Sequence, residues 1–251
     1  MTITATVICD SIHDTRLTTL QLRYPRIIHS EFMTHRTFSR NASSSRAIPI
    51  EKMIQDVLDD TAMPFKWGRN QPGMQARQEH EHPFVAQDTW LEARDDAVFH
   101  ARVLSDEGFH KQIANRLLEP FMHINVVVTA TEWDNWFALR NHEDADPTIH
   151  ELAHQMSLAM TNSDPTYLSK SEWHLPYISY LDREEHDEPM LAKMSAARCA
   201  RVSYGEPRVG DDLKLAEQLI SSGHWSPLEH QAYPFNGQCA NFNGWMQQRH
   251  V

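Results

Sequence analysis

The run THRTFSRNASSSR, residues 34–46, holds the densest chemistry in the chain. It carries three arginines, one histidine, one asparagine, two threonines and four serines, with no acidic side chain. The whole chain is acidic, with 34 Asp and Glu against 23 Lys and Arg and a formal net charge of -11. A phosphate or pyrophosphate wants several converging donors: guanidinium forks, hydroxyls, and backbone N–H groups at a turn or helix start. Arg36, Ser39, Asn41, Ser44, Ser45 and Arg46 supply that inventory. A solvated polar loop is the alternative, and residue types alone leave both open.

Two other patterns invite chemistry. HELAH, residues 150–154, has the H-E-x-x-H spacing of zinc peptidases, which would put His150 and His154 on one helical face with Glu151 as a base. Ile149, Leu152, Ala153, Met156 and Met160 already form an apolar stripe there, so a packing helix is the better expectation and no metal site is assigned. His80 and His82 fit a solvated loop. The three cysteines, Cys9, Cys199 and Cys239, are too scattered for a disulfide framework or a metal, and none has flanking residues that suggest an activated thiol. They point to a reducing, cytoplasmic setting. The acidic balance argues against extended nucleic-acid binding and leaves room for one small anionic ligand at a local basic site. No apolar run approaches a membrane span, and the N-terminus reads as a strand, not as a targeting peptide.

The elements that must position these groups can be read in part. Residues 1–30 alternate as β-structure closed by Pro25. RIIHSEFMTHR fits a helix with Ile27, Ile28 and Phe32 on one side. Residues 41–45 favour a turn, and Ile50, Met53, Ile54 and Val57 make one face of a short helix. Residues 59–88 are a long irregular segment, of a length that is usually functional or mobile. Residues 89–118 carry helical periodicity interrupted at Gly108. HINVVVTATEW is a buried strand or a core helix. Residues 147–162 form a helix with Pro147 in its first turn, 164–192 are loop-rich, and DDLKLAEQLISSGHWSP is an amphipathic helix stopped by Gly223.

HRTFSRNASSSR resembles the signature R-H-R-x-x-S-x-N-x-x-S-x-R of the flavin-dependent thymidylate synthases, with matches at His35, Arg36, Ser39, Asn41, Ser44 and Arg46. GFHKQIANRLLEP is similar to that family's G-x-x-x-E-x-A-R-x-x-L-P helix. TATEWDNWFALRNHEDADPTIHELA is similar to its N-x-R-x-x-x-N-F-x-x-L-R segment, with Asn135 and Arg140 on the asparagine and final arginine. AARCARVSYG and SSGHWSPLEH resemble two blocks that precede the signature in most members, A-A-R-V-S-F and H-G-H-x-T-P-F-E-H. Here they come last, as in a permuted, phage-type relative. Thr34, Ala42, Ser45, Ala47, Asn115, Thr129, Thr131 and Glu31 depart from the pattern; Glu31 stands where the family has glutamine.

The resemblance implies an α+β fold, with helices packed on a mixed sheet in permuted block order. It implies a single domain over 1–251 with 59–88 and 164–192 as insertions. It implies FAD held by His35, Arg36, Asn41, Asn135, Ser203, His224 and Ser226. The nucleotide falls to Glu31, Ser44, Ser45, Arg46, Asn115 and Arg140, and catalysis to Arg140, Ser44 and His224. The implied reaction is methylation of dUMP at C5 with methylenetetrahydrofolate and NADPH, in a homotetramer. The alternatives are another pyrimidine deoxynucleotide such as dCMP, a hydroxymethyl product, or a non-catalytic nucleotide-binding relative.

Overall fold

The β-branched and apolar residues before Pro25 produce a long antiparallel pair, β1 (Thr4–Ile12) and β2 (Arg16–Pro25), with a bulge between Val7 and Cys9. The computed structural model describes residues 2–75, 77–202 and 208–251. The β-branched run HINVVVTA is a strand, β4 (His123–Ala130), and not a helix. It lies between β2 and the short β3 (Ser39–Ala42), antiparallel to both. β5 (Thr166–Tyr167) adds to β1 in parallel, so the sheet is mixed, in the order β3-β4-β2-β1-β5.

Period two sends the strand residues to two differently covered faces. On one face Leu20, Leu22, Tyr24, Val126 and Val128 pack on α6 (Pro147–Thr161) through Ile149, Leu152, Ala153 and Met156. Asp146 caps α6 by accepting from the Thr148 and Ile149 amides, so Pro147 costs no hydrogen bond at the first position. The short α1 (His29–Phe32) and α5 (Asp134–Arg140) complete this layer with Phe32 and Trp136. The expected RIIHSEFMTHR helix is therefore a 3-10 turn at Arg26–Ile28 followed by one helical turn. It stops because Arg40 Nη1 donates to the carbonyls of Phe32, Met33 and His35, which bends the chain instead of extending the helix.

The other face of the sheet carries Leu17, Thr19, Val127, Thr129 and, on β3, Ser39 and Asn41. It is covered by α8 (Glu188–Ala200) and by the hairpin of β6 (Ala232–Cys239) and β7 (Phe242–Gln247). α7 (Tyr180–Glu185) precedes α8, and α9 (Val209–Ser221) packs along it. Beyond the sheet, α2 (Ile50–Asp59), α3 (Pro83–Asp106), α4 (Lys111–Ala114) and a 3-10 stretch at Asn115–Phe121 bury Met53, Val57, Val98 and Leu118 together. α3 starts six residues earlier than the periodicity suggests, because Pro83 opens it; it ends, as expected, at Gly108, whose φ of 81° no helix continues. The segment 60–82 is tied down by Trp90 Nε1 donating to Ala62 O and Arg94 Nη1 donating to Thr61 Oγ1. No described helix is long and apolar enough to cross a membrane.

Candidate functional site

α1, the turn after it and α5 bring three of the candidate residues together. His35 is 8% exposed, boxed by Phe38 and by Trp136, whose ring meets it edge-on at 4.7 Å. Arg140, at the last turn of α5, donates from Nε to His35 Nε2 at 3.1 Å. Its Nη1 lies 3.5 Å from Glu31 Oε2 on α1. Burial, then the neighbouring Arg140 and Arg40 guanidiniums, lower the His35 pKa, so the imidazole is neutral and offers Nε2 as an acceptor. Arg36, next in the chain, is exposed and has no side-chain partner among the described residues.

After β3 the chain turns, with the Ala47 amide donating to Ser44 O. Ser44 and Arg46 are exposed on this turn, and neither side chain is committed to another described residue. Ser45 and Asn115 are differently placed. Ser45 is 4% exposed and its Oγ donates to Glu119 at 2.8 Å. Asn115 is fully buried, with Nδ2 donating to the Ser45 and Ile48 carbonyls at 2.7 and 3.0 Å. Both are expected on the nucleotide; here Ser45 ties the turn to Glu119, and Asn115, at the start of the 3-10 stretch, holds the turn's carbonyls from beneath. Arg116 leans on the same Glu119, as does Arg26.

The C-terminal block comes to the signature strand from the other face. The 3-10 turn Ser226–Glu229 packs on β3, and Asn41 Nδ2 donates to Cys199 O at 3.4 Å at the end of α8. Asn41 is thus a strand-to-helix tie in this chain. Gly223, at φ 71°, ends α9, and the His224 amide returns to Leu219 O. His224 and Ser226 are exposed, and His224 Nδ1 is 2.8 Å from Ser222 Oγ. None of the described hydrogen bonds or ring contacts joins either residue to His35 or Arg36. Between them Trp225 borders a cavity of about 480 Å³, with Trp173, Lys193, Leu228 and Arg249 on its other walls. Asn135 is exposed on α5. Ser203 lies outside the described residues.

The remaining motifs lie away from this turn or are buried in packing contacts. In HELAH, Leu152 and Ala153 are buried and His154 is exposed, while Glu151 accepts from Gln155. Among the described residues no cluster could hold a metal ion. Burial raises the Cys9 thiol to about 11 and pushes Cys199 up as well, so neither is a ready thiolate. Two positioning residues escaped the sequence. Arg40 alternates with Ser39 and Asn41 on a strand, so it had to face the side of α1; only strand period would have shown it. Glu119 gave no local signal, since its partner Ser45 is 74 positions away.

The family model described as thymidylate synthase complementing protein matches residues 10–166. The chain belongs to this family. The match contains the signature turn, Asn115 and α5, and leaves α8, α9 and the hairpin outside it. Over 59 residues the chain is 41% identical to a flavin-dependent thymidylate synthase of Pseudothermotoga lettingae, covering 22% of this chain and 27% of that one. The chain thus spans about a quarter of the length of that relative. Among solved structures, the UMP/dUMP methylase PolB from Streptomyces cacaoi bound with 5-Br UMP superposes with a TM-score of 0.51 at 16% identity, over 64% of this chain and 89% of that one. The same enzyme bound with 5-Br dUMP gives 0.49 at 19%, over 58% and 67%. The first likeness supports the α+β fold.

Proposed function

We propose that the protein is an FAD-dependent enzyme that methylates dUMP at C5 to give dTMP, with methylenetetrahydrofolate and NADPH as co-substrates. Family membership supports the reaction class. The observation that carries the site is the set of exposed, uncommitted cationic and hydroxyl groups of the signature run, Arg36 before β3 and Ser44 and Arg46 on the turn after it, in an otherwise acidic protein. Their chemistry fits a phosphate or pyrophosphate. Arg36, Asn135, His224 and Ser226 would hold the flavin, since each is exposed with polar atoms to spare, and Ser203 is retained from the signature blocks. When bound, the flavin supplies the hydride. The chain's own work is to bind, orient and polarise. Arg46 and Ser44 would take the nucleotide phosphate. Arg140 donates only, which suits the oxygens of uracil.

The resemblance implies a substrate pocket built between subunits, and we propose a homotetramer. Phe99, Val103, Phe109 and Ile113 are exposed along α3 and beside α4, apolar surface that a partner copy would cover. Light scattering reads that directly. The function is tested by calorimetric titration of FAD, then by incubating the holoprotein with dUMP, methylenetetrahydrofolate and NADPH. A product heavier than dUMP by one methylene supports the proposal. A product retaining an added hydroxymethyl group, or turnover of dCMP in place of dUMP, shifts the substrate or product; failure to bind FAD removes the enzyme.

A further inference from the structure

Arg140 is held by two side chains of unequal grip. The Nε bond to His35 is 3.1 Å long and ends on a residue that is 8% exposed and walled by Phe38 and Trp136. The Nη1 contact to Glu31 is 3.5 Å, at the limit of a hydrogen bond, and the Glu31 side chain is 45% exposed. A neutral, boxed imidazole cannot follow a moving guanidinium. It fixes the plane of Arg140 through the one nitrogen that lies along the side chain, and leaves the two Nη groups to point away. The long, half-exposed carboxylate contact is the one that a competing acceptor can replace, because exposed ion pairs are weak.

We propose that His35 is a positioning residue that aims Arg140, and that Glu31 is an internal counter-ion which the substrate's acceptor edge displaces. This rests on the reading of Arg140 as the group that binds the pyrimidine. Three features of the site follow. Glu31 keeps the guanidinium paired while no ligand is bound. Substrate must break that pair, so its apparent affinity is lowered by the fraction of Arg140 already engaged. His35 spends its Nε2 lone pair on Arg140 and keeps only Nδ1–H for anything else, which makes its part in flavin binding secondary.

The test uses the FAD-loaded protein, with dUMP affinity measured by calorimetry and FAD content and urea midpoint recorded for each variant. Glu31→Gln should tighten dUMP by up to about fivefold, the range of a weak exposed pair. His35→Leu should weaken dUMP by about tenfold while FAD stays bound. His35→Gln, whose amide oxygen reaches the place of Nε2, should restore most of that loss. A merely structural histidine would not be rescued by glutamine. Weaker binding in Glu31→Gln makes Glu31 a ligand of the substrate and overturns the counter-ion role. Equal affinity in wild type and His35→Leu, or equal losses in Leu and Gln variants, overturns the positioning role. If Arg140→Ala leaves dUMP affinity intact, or the wild type binds no dUMP at all, the functional reading falls and this inference with it.

Discussion

Two polar clusters flank β3 and β4, and both draw on histidine and hydroxyl side chains. On the face under α8, Thr19, Thr129, His174 and His230 form a buried chain. Thr19 Oγ1 is 2.7 Å from Thr129 Oγ1 and 2.8 Å from His174 Nε2, and Thr129 Oγ1 is 2.8 Å from His230 Nδ1. All four are fully buried. Near the signature turn, Arg36, Ser44, Arg46 and Arg140 stand partly or wholly in solvent, with donors unused, beside the buried His35. The first cluster, the dry one, is sealed from solvent and committed except at His230 Nε2, and it joins the segment 164–192 and the C-terminal block to the sheet. The second keeps its capacity for a ligand. Histidine, serine and threonine are therefore no guide to function by themselves; their partners and burial decide.

The largest effects should come from breaking the dry cluster. His174→Ala removes a buried ring and leaves Thr19 and Ser11 without it, so unfolding should become easier by about 3–5 kcal/mol. His230→Leu should cost clearly less, because its Nε2 already lacks a partner among the described residues and only the Thr129 contact is lost. Equal costs from urea denaturation would mean that the chain of hydrogen bonds is not what joins the two halves. Acid reaches the same cluster. Burial pushes His174 and His230 down to about 3, whereas an unfolded histidine titrates near ~6.5. Between those values the unfolded chain takes up protons that the folded one refuses. Stability is full above about pH 6.5 and should fall as pH drops toward 3, and the urea midpoint in His174→Leu should fall less steeply. His29 and His123, lowered by burial to about 4, leave a residual slope in that variant.

A middle case lies between the clusters. Asn115 is as buried as the dry cluster but serves the open one, by holding the Ser45 and Ile48 carbonyls. Asn115→Ala should cost about 2–3 kcal/mol, since two buried acceptors lose their donor. It should also weaken dUMP through the disordered turn. Lost stability with unchanged dUMP affinity would detach the turn from the site.

The sequence exposed periodicity and punctuation better than pairing. β2 with Pro25, α2, and α6 behind Asp146 and Pro147 were legible because apolar spacing and caps are local signals. The β6–β7 hairpin was not, because its turn puts Ala240 at a φ of 51°, where glycine or asparagine would be the usual marker. At the site, Arg36, Ser44 and Arg46 were legible as uncommitted donors in a turn. Ser45 and Asn115 have the same polar character, yet the structure turns them inward. Their partners are 74 and 70 positions away, and no local pattern carries that information.

Arg46 separates the clusters by assay. It is exposed and unpaired among the described residues, so Arg46→Ala should leave stability within about 0.5 kcal/mol. Nucleotide binding should weaken by about 1.5–3 kcal/mol, the range for a hydrogen bond to a charged group, with FAD affected much less. A stability loss without a binding loss would return the signature turn to the structural side, and unchanged nucleotide affinity would move the phosphate to Arg116.

A small effect on the fold is also expected at His224, where the two kinds of role meet in one residue. It follows the C-terminus of α9, where the helix dipole favours a cation, and its ring contacts only Ser222 among the described side chains. A helix-end role is worth about 0.3–1 kcal/mol at an exposed position. The backbone closure belongs to the His224 amide and to Gly223, so it survives replacement of the side chain. His224→Ala should therefore shift the urea midpoint only slightly. If the ring also serves the flavin, FAD affinity should fall by more than that shift accounts for, and His224→Lys should not restore it, because a lysine replaces the charge at the helix end but not the planar ring. FAD affinity that stays at the wild-type value in His224→Ala, or that His224→Lys recovers together with stability, would place His224 with the structural residues and leave Ser226 and Asn135 to the cofactor.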